Sequence, residues 1–198
     1  MVIVGDGTPD NYVLVILAHH LDGGKLVGTS KHAERRGLAV LEEFKTYLEA
    51  SKQLTTAILL VDRDDRPLAA LTEGIEAALK EAGVAVRDLV DGSRVKEVEV
   101  EVGGREIELV VLVNDVELEG ARKGTVESHL LRAMGEIHGF ERVRQLLRAS
   151  EGDPKRAWRR VSEKEAEEVF ERLVKDRDFA RRIFPQHFEA FERLLERG

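Results

Sequence analysis

The pattern of apolar positions divides the chain into two kinds of segment. Val2-Ile-Val4 is an unbroken apolar run, as a central parallel strand buried on both faces should be. Gly5-Asp6-Gly7-Thr-Pro9 then makes a turn, and Asp10 reads as the N-cap of a helix carrying Tyr12, Leu14, Ile16, Leu17 and Leu21, closed by Gly23-Gly24. Lys25 to Gly28 suits a short strand, followed by a polar turn at Thr29-Ser-Lys31-His32. Leu38, Leu41, Phe44 and Leu48 have the spacing of a long amphipathic helix. The clearest strand is Ala57 to Val61, running into Asp62-Arg-Asp64-Asp65-Arg-Pro67, where Pro67 opens a helix over Leu68 to Ala82 that Gly83 ends.

Beyond residue 90 the period changes from helical to alternating. Val95 to Val102 switches between apolar and charged residues, Gly103-Gly104 turns, and Ile107 to Val113 returns, which predicts an antiparallel hairpin with a half-exposed first strand. A helix begins near Thr125-Val-Glu127 with Leu130, Leu131 and Met134 on one face. From Phe140 the chain reads as helices broken at Gly152-Asp-Pro154 and Pro185. The expected fold is α/β, a mixed and mainly parallel central sheet flanked by helices over residues 1–138. Residues 139–198 read as a helical C-terminal extension or subdomain.

Composition narrows the chemistry. The 198 residues, 42% of them hydrophobic, suffice for a real core, and none of the apolar runs approaches the roughly 20 residues of a membrane span. The start has no signal-peptide pattern, so the expected compartment is the cytoplasm. Without cysteine, any metal must be held by carboxylate, imidazole or backbone oxygen, which favours Mg²⁺ or Mn²⁺. A charged fraction of 35%, with no Cys and few Met, is the composition of thermophile proteins. The net charge of −7 argues against a basic coat for nucleic acid. The acidic excess lies before residue 141, however, and an acidic cluster that binds a metal can still hold a phosphate.

The candidate chemistry sits where ligands gather in open α/β sheets, beyond the carboxyl ends of the strands. Asp6 follows the first strand, Asp62, Asp64 and Asp65 follow the central one, Asp115 follows the second hairpin strand, and Glu127 enters from the next helix. Asp62 and Asp64 are two apart, so in extended geometry they share a side and can grip one cation. An isolated Asp-x-Asp after a strand is more often a solvated turn. Acids from several strand ends make the site reading competitive, because converging carboxylates repel unless a cation or proton compensates.

Asp6-Gly7 after the first strand, the apolar strand ending Asp62-Arg-Asp64, and Thr125-Val-Glu127-Ser-His-Leu-Leu131 together resemble the TOPRIM-like proteins, in particular a small archaeal TOPRIM-related family of unknown function. The resemblance covers about residues 1–135 and rests on the order and spacing of the motifs. It implies a metal site of Asp62 and Asp64 holding Mg²⁺ or Mn²⁺, catalytic roles for Asp6 and Glu127, and nucleic-acid phosphodiester cleavage, transfer or polymerisation. Lys31 takes the place of the family's middle-turn lysine, although that turn here is Gly28-Thr-Ser-Lys31 and lacks the glycine pair. Asp6 stands where TOPRIM domains have glutamate, one methylene longer.

With the metal in place, Asp6 or Glu127 would activate or position a nucleophile, and Lys31, Arg35, Arg36, Arg63 and Arg66 would clamp phosphate oxygens. Exposed cations on a helix and a turn are, as a class, more often solvated surface. Two alternatives remain open: a catalytically degenerate TOPRIM-like scaffold that binds a partner, and a haloacid-dehalogenase-like phosphatase with Asp62 as nucleophile and Asp64 as acid/base. The latter family carries its motif near the N-terminus, whereas this one is internal. None of the six histidines has zincin spacing, and His129 lies off the face of Glu127. Lys155-Arg-Ala-Trp158-Arg-Arg160 combines charge with the only Trp, as a nucleic-acid contact would, but a helix burying Trp158 is the commoner explanation.

Overall fold

The computed structural model describes residues 2–4, 8–21, 29–31, 37–43, 45–46, 55–92 and 94–197. Six strands form one sheet: β1 Val2–Val4, β2 Thr29–Lys31, β3 Thr56–Asp62, β4 Ala85–Gly92, β5 Val95–Val102 and β6 Arg105–Asn114, in the order β2-β1-β3-β6-β5-β4. Pairing is parallel from β2 through β1 and β3 to β6, then antiparallel from β6 through β5 to β4. Three of the five pairings are parallel and two antiparallel, so the sheet is mixed as expected, and its parallel part ends at β6 because β4 joins β5 on the antiparallel side.

The unbroken apolar runs have a direct structural cause. Alternate residues of β3 and β6 face two separate cores. Ile58, Leu60, Val110 and Leu112 pack on one side, and Ala57, Leu59, Val61, Leu109, Val111 and Val113 pack on the other. Over Ala57–Val61 and Leu109–Val113, covered on both faces, there is no place for a polar side chain, and the next positions are Asp62 and Asn114. β5, by contrast, buries Val98, Val100 and Val102 and leaves Glu99 exposed. Gly103 and Gly104, at φ +60° and +75°, form the two-residue turn that closes the β5–β6 hairpin.

One face is covered by α2 (Leu68–Glu81) through Leu71, Ile75 and Leu79, together with a 3₁₀ helix over Gly37–Glu43 that supplies Leu38, Val40 and Leu41. The other face takes α1 (Thr8–Leu21), α3 (Val126–His138), α4 (Phe140–Arg148), α5 (Pro154–Trp158), α6 (Glu163–Lys175), α7 (Arg177–Ile183) and α8 (Pro185–Arg197). The helices after residue 139 bury Phe179, Phe184, Phe188 and Phe191 in the same core as Ile58 and Leu60. Among the described residues, none of the helices is long and apolar enough to cross a membrane.

Three local expectations are corrected. Thr29–Lys31 is strand β2 and not a turn: it pairs in parallel with β1, Val4 opposite Lys31. Helix α1 begins at Thr8, so Asp10 lies inside it and does not cap it. Gly37–Glu43 is 3₁₀, although Leu38 and Leu41 are buried as their spacing required. The expected strand at 25–28, Phe44 and Leu48 lie outside the described residues.

Candidate functional site at the carboxyl edge of the sheet

The edge is assembled by strand register. Asp62 ends β3 directly beside Asn114, which ends β6. Two residues on, Asp64 makes a backbone bridge to Gly124: each N–H donates to the other's carbonyl at 2.9 Å. This bridge ties the β3 end to the segment that leads into α3. Helix α3 therefore starts over the end of β3, and its first N–H, that of Val126, donates to Asp62 Oδ1 at 3.0 Å. Asn114 Nδ2 donates to the same oxygen at 3.1 Å.

The second oxygen of Asp62 is met from the C-terminal helices. Asp153 caps α5 by accepting from Arg156 N–H, Pro154 occupies the first turn, and Lys155 follows with its ammonium turned toward the strand end. Lys155 Nζ lies 2.7 Å from Asp62 Oδ2 and 3.5 Å from Asp64 Oδ1. The Asp62 side chain is only 1% exposed, against 33% for Lys155 and 35% for Asp64. Asp62 is thus a buried carboxylate held by two N–H donors and an ammonium, all of which favour its charged form. Lys123 Nζ pairs with Asp153 at 3.1 Å and fastens α5 to the loop before α3.

Asp62 and Asp64 both approach the ammonium of Lys155. The extended geometry behind the expectation holds only as far as Arg63, since Asp64 adopts φ +54°. Arg63 points elsewhere: its Nε donates to Asp115 Oδ1 at 2.9 Å, and Arg94 pairs with the other oxygen at 3.2 Å. Glu127 is buried in the first turn of α3, its Oε2 without a hydrogen-bond partner among the described residues. Those residues contain no group of three or more His, Asp or Glu side chains arranged to hold a metal. Asp6, Arg35 and Arg36 lie outside the described residues, and of Lys31 only the backbone is described.

The other conspicuous residues belong to packing. His129 is buried, donates from Nδ1 to the Ile183 carbonyl at 2.8 Å and stacks on Phe184. Burial pulls its pKa down to about 4. Trp158 meets Phe170 edge-on, within the larger core.

Compared with known proteins, the chain matches no family model, no curated protein and no solved structure.

Lys155 and Asn114 are the site residues that the sequence left unassigned. A weak signal existed for each. A lysine in the first turn of a helix opposes the helix dipole and so calls for a nearby acid. Asn114 ends an apolar strand as Asp62 does, and parallel register places the two side by side.

Proposed function

We propose that the carboxyl edge of the sheet is a divalent-cation-dependent phosphodiester-processing centre of the TOPRIM class, acting on nucleic acid. The observation that carries this reading is that Asp62 and Asp64 converge on a single cation position, 2.7 and 3.5 Å from Lys155 Nζ. The donors are hard carboxylate oxygens, which fit Mg²⁺ or Mn²⁺. Asp62 and Asp64 would hold the ion, and Asp6 or Glu127 would activate or position the nucleophile. When bound, the ion supplies neutralisation of the phosphate charge that grows during in-line displacement.

The protein's own groups have distinct tasks. Asn114 and the Val126 N–H aim Asp62. Lys155, a third exposed, neutralises the acid pair until the ion takes that position. Arg66, exposed on the turn after Asp64, supplies further positive charge.

A second reading has its own support: the charge of Asp62 is already compensated by protein groups alone, as a scaffold that binds a partner without turnover would arrange it.

Calorimetric titration with Mg²⁺ and Mn²⁺ of the wild type, Asp62→Asn and Asp64→Asn separates the two, with cleavage of single- and double-stranded nucleic acid read in the same samples. Binding by the wild type that both variants lose, accompanied by metal-dependent cleavage, is the expected result. Absence of binding by the wild type would leave the scaffold.

A further inference from the structure

Behind Asp62 a hydrogen-bonded chain runs away from the strand edge into the core. Asn114 Nδ2 donates to Asp62 Oδ1 at 3.1 Å, and His187 Nε2 lies 2.9 Å from Asn114 Oδ1. All three residues are buried, at 4%, 1% and 1% exposure. Their chemistry sets every proton in the chain. An ionised carboxylate only accepts, so the amide nitrogen of Asn114 must face Asp62. Its oxygen then faces His187, and Nε2 must carry the proton. His187 Nδ1 is buried with no hydrogen-bond partner among the described residues, which suits a bare lone pair better than a second N–H.

His187 is itself held in place. It lies in the first turn of α8, with its ring edge-on to Phe184 and to His129, each at 5.4 Å between ring centres. His129 is anchored in turn on the Ile183 carbonyl. A phenylalanine would fill this apolar site without burying ring nitrogens, and the one described polar contact His187 gains in exchange is Asn114.

We propose that His187 and Asn114 are positioning residues for Asp62: the Nε2–H of His187 locks the Asn114 amide in the one orientation that presents a donor to the carboxylate. Lys155 from α5 and His187 from α8 then hold the two ends of one arrangement, so the C-terminal helices complete the site as well as the core. The consequence for cation binding rests on the function proposed above, but the orientation of the Asn114 amide does not.

The test uses the full chain. Nitrogen-15 spectra of the histidine rings at neutral pH are expected to show His187 as the neutral Nε2–H tautomer; an Nδ1–H tautomer overturns the proposal without any variant. His187→Phe is expected to weaken Mn²⁺ binding at least tenfold, in the range found for partners of metal ligands. His187→Gln, whose amide can still donate, is expected to recover most of that loss even where thermal stability is equally lowered in both variants. Equal affinities of His187→Phe and wild type, or equal losses in the two variants, overturn it. If the wild type binds no Mn²⁺, the metal-dependent reading falls, and the positioning role is decided by the Asp62 carboxyl carbon and Asn114 amide resonances at neutral pH. Resonances that shift in His187→Phe and return in His187→Gln support the role, and unchanged resonances remove it.

Discussion

Lys155 Nζ stands 2.7 Å from Asp62 Oδ2, so a residue of the C-terminal helices neutralises a carboxylate at the end of the central strand. Removing one partner of a buried pair leaves the other charge uncompensated, which costs about 3–5 kcal/mol when both are fully buried. Lys155 is a third exposed, so water offsets part of that cost, and Lys155→Met is expected to lose about 2 kcal/mol by urea denaturation. Mg²⁺ is expected to raise the stability of Lys155→Met more than that of the wild type, because the cation takes the position the ammonium has left. No effect of Mg²⁺ on either protein would count against the metal site.

Asp64 holds a backbone conformation, φ +54°, that Gly, Asn and Asp tolerate far better than other residues. Asp64→Asn and Asp64→Gly are therefore expected to stay within about 0.5 kcal/mol of the wild type while removing the charge. Asp64→Ala, which meets the Cβ penalty, is expected to cost about 1–2 kcal/mol. The same three variants sort the site from the fold: cation binding lost equally in all three, with stability lost only in Ala, is the expected pattern. Binding that tracks stability would make Asp64 a turn residue and nothing more.

The parts of the fold legible in the sequence were those set by local pattern. Ala57 to Val61 could be read because a strand covered on both faces admits only apolar residues. The β5–β6 hairpin could be read because Gly103-Gly104 supplies its turn. β4 escaped because its identity is tertiary: Arg87 and Asp88 interrupt the apolar pattern, the register slips between Val86 and Asp88, and the strand is held partly by Arg87 pairing with Glu101 of β5 and Glu106 of β6. The site divides in the same way. Asp62 and Asp64 were visible as an acidic pair at a strand end, whereas Lys155 and His187 lie far along the chain and reach Asp62 and Asn114 only through helix packing. No spacing rule connects them.

Gly124 is needed for space. A Cβ there would stand 2.6 Å from Asp115 Oδ1 and 2.9 Å from both Arg63 Nε and the Asn114 carbonyl oxygen. The obstacles include backbone and the Arg63–Asp115 ion pair, so the strand end cannot simply swing aside. Gly124→Ala is expected to destabilise the protein by about 1–3 kcal/mol, as overpacking does, and to weaken the bridge to Asp64. Amide exchange at Asp64 and Gly124, faster in the variant than in the wild type, checks the second point. Unchanged exchange with unchanged stability would show that the loop yields freely.

The buried histidines predict a pH dependence that starts above the carboxylate range. Burial is the main cause that lowers His129 from 6.5 to about 4 and His187 from 6.5 to about 3, with the nearby His129 ring a further cause at His187. Both groups bind protons in the unfolded chain before they do in the folded one. Their contribution to stability is therefore complete above about pH 6.5 and is lost as pH falls, down to about 4 for His129 and about 3 for His187. Each contributes a slope of up to about 1.4 kcal/mol per pH unit below 6.5, so the pair is expected to remove about 4 kcal/mol between pH 7 and pH 5. Glu165, which Arg142 holds down at about 2, acts in the same direction but only once the unfolded carboxylate begins to protonate near 4.5. Urea denaturation across this range is expected to show the full slope in the wild type and about half of it in His187→Gln, whose side chain cannot titrate. An unchanged slope in that variant would mean that His187 takes up its proton in the folded state, which would place a second N–H on Nδ1 where the described residues offer no acceptor.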